Sequence, residues 1–140
     1  MPTLAWITPN PPRPQTEALV MASRLEVARL KDVPRFFVKS LAAWKQVGKA
    51  PGAVGASLVA EPLKRTFWTL SAWESREALY DYVAAEPHHT IMTGQRAVMR
   101  DSTFVFWNVP TEQLPVSWEE ARRRLAEQDE KKTRQGAAGQ

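Results

Sequence analysis

The sequence contains no cysteine. That absence excludes disulfide frameworks, thiolate nucleophiles, iron–sulfur clusters and Cys-ligated zinc together, and it leaves the redox compartment open. Histidine is nearly as scarce: His88 and His89 are the only two. Adjacent residues on a helix point about 100° apart, so the pair cannot ligate one small site and no metal is expected. No stretch approaches the roughly 18 apolar residues of a membrane span. The opening MPTLAWITPNPPRP also lacks a basic segment followed by about 7–15 apolar residues, so a cytoplasmic protein is expected. Gly48, Gly52 and Gly55 flank a helix end and a strand rather than a strand-to-helix turn, so they make no phosphate-binding loop. The chain has no nucleophile elbow. Asp81, Glu86 and Asp101 form no carboxylate pair of the kind a glycosidase or a two-metal site requires.

What remains is 140 residues, 44% of them hydrophobic, enough for one core but not two. A separate cofactor domain is therefore not expected. The formal charge of +4 comes from dispersed basic residues interleaved with acids, without the clustered basic face of a nucleic-acid binder, so no nucleic-acid partner is expected. Six Trp and five Phe supply more aromatic area than gap filling alone requires.

Five prolines before residue 15 predict an extended N-terminal arm over residues 1–16, with a short strand at Leu4–Ile7. Residues Ala18–Leu30 read as a strand, with Leu19, Met21, Leu25 and Val27 on one face and Arg24 and Glu26 on the other. Asp32 followed by Pro34 predicts a capped helix start. That helix carries Phe36, Phe37, Leu41, Ala43, Trp44 and Val47 on a wide apolar face and stops at Gly48 and Pro51-Gly52. Ala53–Ala60 and Arg65–Trp73 form a hairpin with Glu61–Lys64 as the turn. Ser71 or Ser75 starts a second helix, Pro87 opens a short third one over HHTIMTGQRAVM, and Ser102–Val109 is the last strand. Ser117-x-x-Glu120 caps a final helix that is expected to dissolve into a polar tail.

The order is β-α-β-β-α-β: an α+β, ferredoxin-like fold with an antiparallel sheet, helices on one face and an extra C-terminal helix. The expected units are the arm 1–16, a domain 17–110 and the segment 111–140. The face opposite the helices is expected to be bare and to be covered by a second subunit, which predicts a homodimer.

The stretch TLSAWESREALYDYVAAEPH, with its W-x-S-x-x-A-L pattern and Pro87 fourteen residues after Trp73, resembles the antibiotic biosynthesis monooxygenase family of dimeric α/β-barrel proteins. Relatives of that family include spheroidene monooxygenase-like proteins. The resemblance covers Ala18 to Val109. It implies a small monooxygenase acting on a hydrophobic aromatic or polyene substrate. In cofactor-independent members, which oxidise polycyclic phenols to quinones, it implies catalytic roles for a Trp, an Asn four residues earlier and an Arg on the following helix. Trp73 matches the first, Thr69 stands at the second, and the third falls near Thr93, with Arg96 one turn on. In haem-degrading relatives the axial His position falls near Met92, with His88 and His89 about one turn earlier.

Candidate catalytic residues are therefore Trp73, His88, His89 and Arg96. One His faces solvent while the other caps near Pro87, or one of them faces a pocket as a general base or a haem ligand. Period two places Trp73, Phe67, Thr69 and Ser71 on one face of the hairpin strand. A surface of large aromatics interrupted by two small hydroxyls suits an apolar pocket with a few orienting polar groups, and it equally suits an ordinary strand. Phe67, Thr69, Ser71, Trp44, Tyr82 and Met92 are the candidate substrate-binding residues. The expected cofactor is none, or haem, and the expected partner is a small hydrophobic molecule. The alternative is a non-catalytic accessory dimer that binds a hydrophobic ligand or haem.

Overall fold

The computed structural model describes residues 3–11, 16–85, 94 and 98–138. Strand β1 (Thr3–Ile7) is followed by β2 (Glu17–Val27), α1 (Val33–Val47), β3 (Ala53–Glu61), β4 (Thr66–Trp73), α2 (Arg76–Ala84), β5 (Met99–Pro110) and α3 (Trp118–Ala138). The five strands form one antiparallel sheet in the order β1-β3-β4-β2-β5. Without β1 this is the expected ferredoxin-like arrangement, and β1 extends it past β3.

Alternation in β2 decides which layer each side chain joins. Leu19 and Met21 pack with Trp73, Val47 and Leu79 on the α1–α2 side. Val27 and Leu25 join Phe36, Phe67 and Ala60 on the same side, whereas Ala18, Val20 and Ala22 face the other way with Leu70 and Trp107. That second face is not bare. Val116, Ala121 and Leu125 lie on it, and the guanidinium groups of Arg122 and Arg124 lie over the Trp68 and Trp107 rings at 4.4 and 4.5 Å. The cover is supplied by α3 of the same chain.

The final helix also runs further than its apolar stripe. Ser117 Oγ accepts from the Glu120 amide at 3.2 Å, as the sequence implies. Beyond Leu125 the helix is held by polar contacts instead: Asp129 accepts from Thr103 Oγ1 at 3.3 Å and pairs with Arg24 at 3.6 Å, while Lys132 reaches Asp101 at 2.9 Å. The predicted polar tail is consequently helical to Ala138.

Several local expectations need correction. Asp32 has helical backbone angles at the end of a 3-10 turn and makes no side-chain cap, so α1 begins on Val33 with Pro34 in its first turn. Ser75, not Ser71, caps α2, accepting from the Ala78 amide at 3.1 Å, because Ser71 is still in β4. The hairpin turn is Pro62–Lys64 with Arg65 left-handed at φ 56°. Glu61 therefore ends β3 and is only 5% exposed, accepting from Trp68 Nε1 and lying 3.4 Å from Lys64 Nζ. The last strand is longer than Ser102–Val109, running Met99–Pro110, with Thr103, Trp107 and Val109 buried while Arg100, Asn108 and Phe106 are exposed.

The predicted arm is partly a strand. Trp6 of β1 lies over Gly55, where an added Cβ would come within 1.9 Å of the indole. Gly55→Ala is therefore expected to displace Trp6 and lower stability by about 1–3 kcal/mol, read from the denaturant midpoint. Gly48→Ala is the control. Its Cβ would meet nothing nearer than 3.5 Å, and removing that glycine is expected to raise stability by about 0.4–1 kcal/mol.

Candidate functional site

The W-x-S-x-x-A-L pattern has a separate physical reason at each position. Trp73 ends β4 and is fully buried, Ser75 caps α2, and Leu79 is 2% exposed in the core. Ala78 faces Gly52, which has φ 80° and where a Cβ would come within 2.5 Å of the Ala78 Cβ. The pattern thus builds the strand-to-helix junction and seats α2 against the loop after α1.

Between α1, α2 and the sheet lies a cavity of about 640 Å³. From α1 it is lined by Phe36, Ser40, Ala43, Trp44 and Val47, a single helical stripe. From the sheet come Met21, Ser23 and Leu25 of β2, Thr69, Ser71 and Trp73 of β4, and Phe104 of β5. Strand register sets their levels. Leu25 pairs with Phe67 and Ser102, Ser23 with Thr69 and Phe104, Met21 with Ser71, and Leu19 with Trp73. The cavity therefore has two distinct ends.

One end is aromatic. The rings of Trp73 and Tyr82 lie 5.0 Å apart. The Trp73 Nε1 donates to Ser71 Oγ at 2.8 Å, so this N–H is committed within the protein. The Tyr82 hydroxyl donates to the Ala43 carbonyl at 3.0 Å, and burial pushes its pKa far above the ordinary phenol value. Midway, the hydroxyls of Ser23 and Thr69 hydrogen-bond to each other across β2 and β4.

The other end, where β2 finishes and β5 begins, is charged. Lys39 of α1, Arg100 and Asp101 of β5 and Lys132 of α3 line it. Asp101 accepts from Lys132 Nζ at 2.9 Å and from Arg24 at 3.0 Å. The Lys132 hydrogen bond holds its carboxyl below the usual range, against a smaller opposing effect of burial. Arg100 lies 3.5 Å from Glu26. Lys39 makes no ion pair or hydrogen bond among the described residues.

Of the residues singled out from sequence, Trp44, Thr69, Ser71, Trp73 and Tyr82 line this cavity together. Phe67 does not: it lies fully buried beneath the charged end, with its ring 4.6 Å from that of Phe36. His88, His89, Met92 and Arg96 lie outside the described residues, as does most of the predicted third helix. Sequence reasoning missed Ser23, although it shares a strand face with Met21 and Leu25. It also missed Lys39, Asp101 and Lys132, which only tertiary register brings together.

Among the described lining residues, the donors that haem iron could use are the Met21 and Met99 thioethers and the Tyr82 phenol. The phenol is kept protonated and engaged with Ala43, and no imidazole is among them. The described lining therefore supplies no imidazole or phenolate of the kind that holds haem iron, and both histidines lie outside the described residues. No group of three or more His, Cys, Asp or Glu suited to a metal ion occurs among the described residues, and no described helix is long and apolar enough to cross a membrane.

Solved structures with this fold are several. A variant of SnoaB, a cofactor-independent oxygenase from Streptomyces nogalater, superposes with a TM-score of 0.56 at 17% identity, covering 71% of this chain and 98% of its own. A protein from Nitrosomonas europaea assigned as an antibiotic biosynthesis monooxygenase gives 0.61 at 13%, covering 71% and 94%. PA3566 from Pseudomonas aeruginosa gives 0.60 at 13%, covering 66% and 94%. The fold is thus that of antibiotic biosynthesis monooxygenase-like proteins, as the Trp73–Leu79 pattern implies. No curated protein matches the sequence. The family model of the domain of unknown function DUF3291 matches residues 37–137, which take in most of α1, strands β3 to β5, α2 and most of α3 but not β2, and the chain belongs to that family.

Proposed function

We propose that the chain is a small monooxygenase-like protein that holds a flat hydrophobic aromatic or polyene substrate between the sheet and α1–α2. The observation that carries this reading is the cavity itself. At about 640 Å³ it falls within the ~300–1,000 Å³ of small-molecule sites, with apolar walls and a few polar groups. The oxygenase name of a structural neighbour supports the reaction class.

The chemistry suited to such a pocket is oxidation of an activated ring CH₂ to a ketone. One oxygen atom of O₂ enters the product, and the other leaves as water with the two hydrogens of the CH₂. The substrate supplies the electrons, so this balance needs no cofactor. Among the described residues the middle of the cavity presents the paired hydroxyls of Ser23 and Thr69 and the hydroxyl of Ser40 but no general base, which suits a substrate that ionises readily by itself, as phenolic anthrones do. The protein then contributes orientation and exclusion of water. Trp73, with its N–H held by Ser71, acts as a wall against the rings. Any contribution from His88, His89 or Arg96 adds to this arrangement.

Residues 17–110 form the substrate-holding unit of this proposal, which acts as a homodimer. The support for a dimer is Phe106, 51% exposed beside Phe104 on β5, a strand whose outer edge pairs with no other strand among the described residues. Sedimentation is expected to give about twice 15.8 kDa.

Oxygen uptake with an anthrone-type substrate tests the function. One O₂ consumed per substrate is expected, and Ala43→Trp, which fills the cavity from α1, is expected to abolish uptake while the protein remains folded by circular dichroism. Tight binding without uptake would favour the non-catalytic accessory reading, which the mutual pairing of the cavity hydroxyls makes worth distinguishing. Neither binding nor uptake would overturn both.

A further inference from the structure

The charged end of the cavity has an unequal balance. Three cationic side chains line it, Lys39, Arg100 and Lys132, against one carboxylate, Asp101. That carboxylate already has two partners within 3.0 Å, Lys132 and Arg24, and Arg100 has Glu26 nearby at 3.5 Å. Lys39 is left without a matching anion among the described residues. It follows Phe36 by one helical turn on α1, so its ammonium group stands where the apolar wall gives way to the rim. The opposite end is closed by the Trp73–Tyr82 pair, whose hydrogen-bonding atoms are committed to Ser71 and Ala43. A low-dielectric cavity with cations at one end focuses positive potential along its length.

We infer that the cavity takes an amphipathic anion: an apolar ring system lying toward Trp73, with a carboxylate or phenolate at the rim paired with Lys39 and within reach of Lys132. The inference rests on the cavity being the ligand site, as proposed above, and adds the charge and direction of the ligand. A neutral hydrocarbon of the same shape leaves Lys39 unpaired. A cationic ligand meets three like charges at the only polar end among the described residues.

The test compares 1-pyrenebutyric acid with 1-pyrenebutanol, which share an apolar body and differ in charge, by fluorescence titration of the full chain near neutral pH and low salt. The acid is expected to bind about tenfold more tightly, the size of one hydrogen bond to a charged group, and to lose that advantage as salt rises. Lys39 is exposed, so Lys39→Gln should fold normally. It is expected to bring the two affinities together, while Lys39→Arg retains the preference. Asp101→Asn, which frees Lys132, is expected to strengthen binding of the acid and leave the alcohol unchanged. Equal binding of both probes, blocked by Ala43→Trp, would overturn the anion inference and leave the cavity standing as the ligand site. An undiminished preference in Lys39→Gln would overturn the assignment of Lys39. If neither probe binds, the cavity reading itself fails.

Discussion

Replacing Trp73 with Ala is expected to lower the unfolding free energy by about 3–5 kcal/mol, the range for removing a buried Trp or Phe. Trp73 is fully buried and sits at the junction of β4 and α2, packed among Leu19, Val47, Ala53 and Leu79. Its removal takes away the 5.0 Å ring contact with Tyr82 and strands Ser71 Oγ, which accepts from the indole. The same vacancy joins the aromatic end of the cavity, so ligand affinity falls together with stability. Trp73→Phe separates the two effects: it keeps most of the packing and loses the donor, so its stability should lie between those of the parent and Trp73→Ala. Denaturant unfolding gives both values. A cost under about 1 kcal/mol for Trp73→Ala, typical of exposed sites, would contradict its place in the core.

Leu125→Ala is expected to cost about 2–5 kcal/mol. Leu125 is 1% exposed against Trp107 and Val109 on the sheet face opposite α1 and α2, so truncating it opens a void in the α3–sheet contact. An undocked helix would show a very different response, because Leu and Ala differ only slightly in intrinsic helix propensity. Chemical unfolding therefore reports directly whether α3 covers the sheet in solution. Sedimentation of the same variant adds a second readout. If a second subunit replaces α3 on that face, the dimer mass and the stability both hold, and the dimer contact is face to face instead of along β5.

The strand and helix order was readable because β2 and β4 are largely apolar runs bounded by turn residues and because Ser75, Ser117 and Pro34 mark helix starts by local chemistry. Thr69, Ser71 and Trp73 could be placed on one surface by period two alone. The charged rim could not. Lys39, Asp101 and Lys132 come from three elements separated by more than 90 residues between first and last, and only the register of β2 with β5 and the path of α3 bring them together. The length of α3 was hidden for a related reason. Past Leu125 nothing in its own sequence carries an apolar stripe, and the helix persists through contacts to Asp101, Thr103 and Arg24 on the sheet. Asp32 shows the opposite failure: a good local cap signal is overridden by the 3-10 turn that brings the chain from β2 into α1.

Strand β1 has a consequence for solubility. Every residue of β3 from Ala53 to Glu61 is buried, and the stretch AVGASLVA carries no charge and no proline. Such a segment is a ready template for cross-β stacking when its backbone edge is open. Five residues of β1 occupy that edge. They are fixed by Trp6 over Gly55 and by Ser57 Oγ, which donates to the Leu4 carbonyl at 2.8 Å and accepts from Trp118 Nε1 at 3.1 Å. Loosening this short strand would turn the most apolar strand of the sheet into an aggregation edge, so the N-terminal segment acts as the molecule's guard against self-templating.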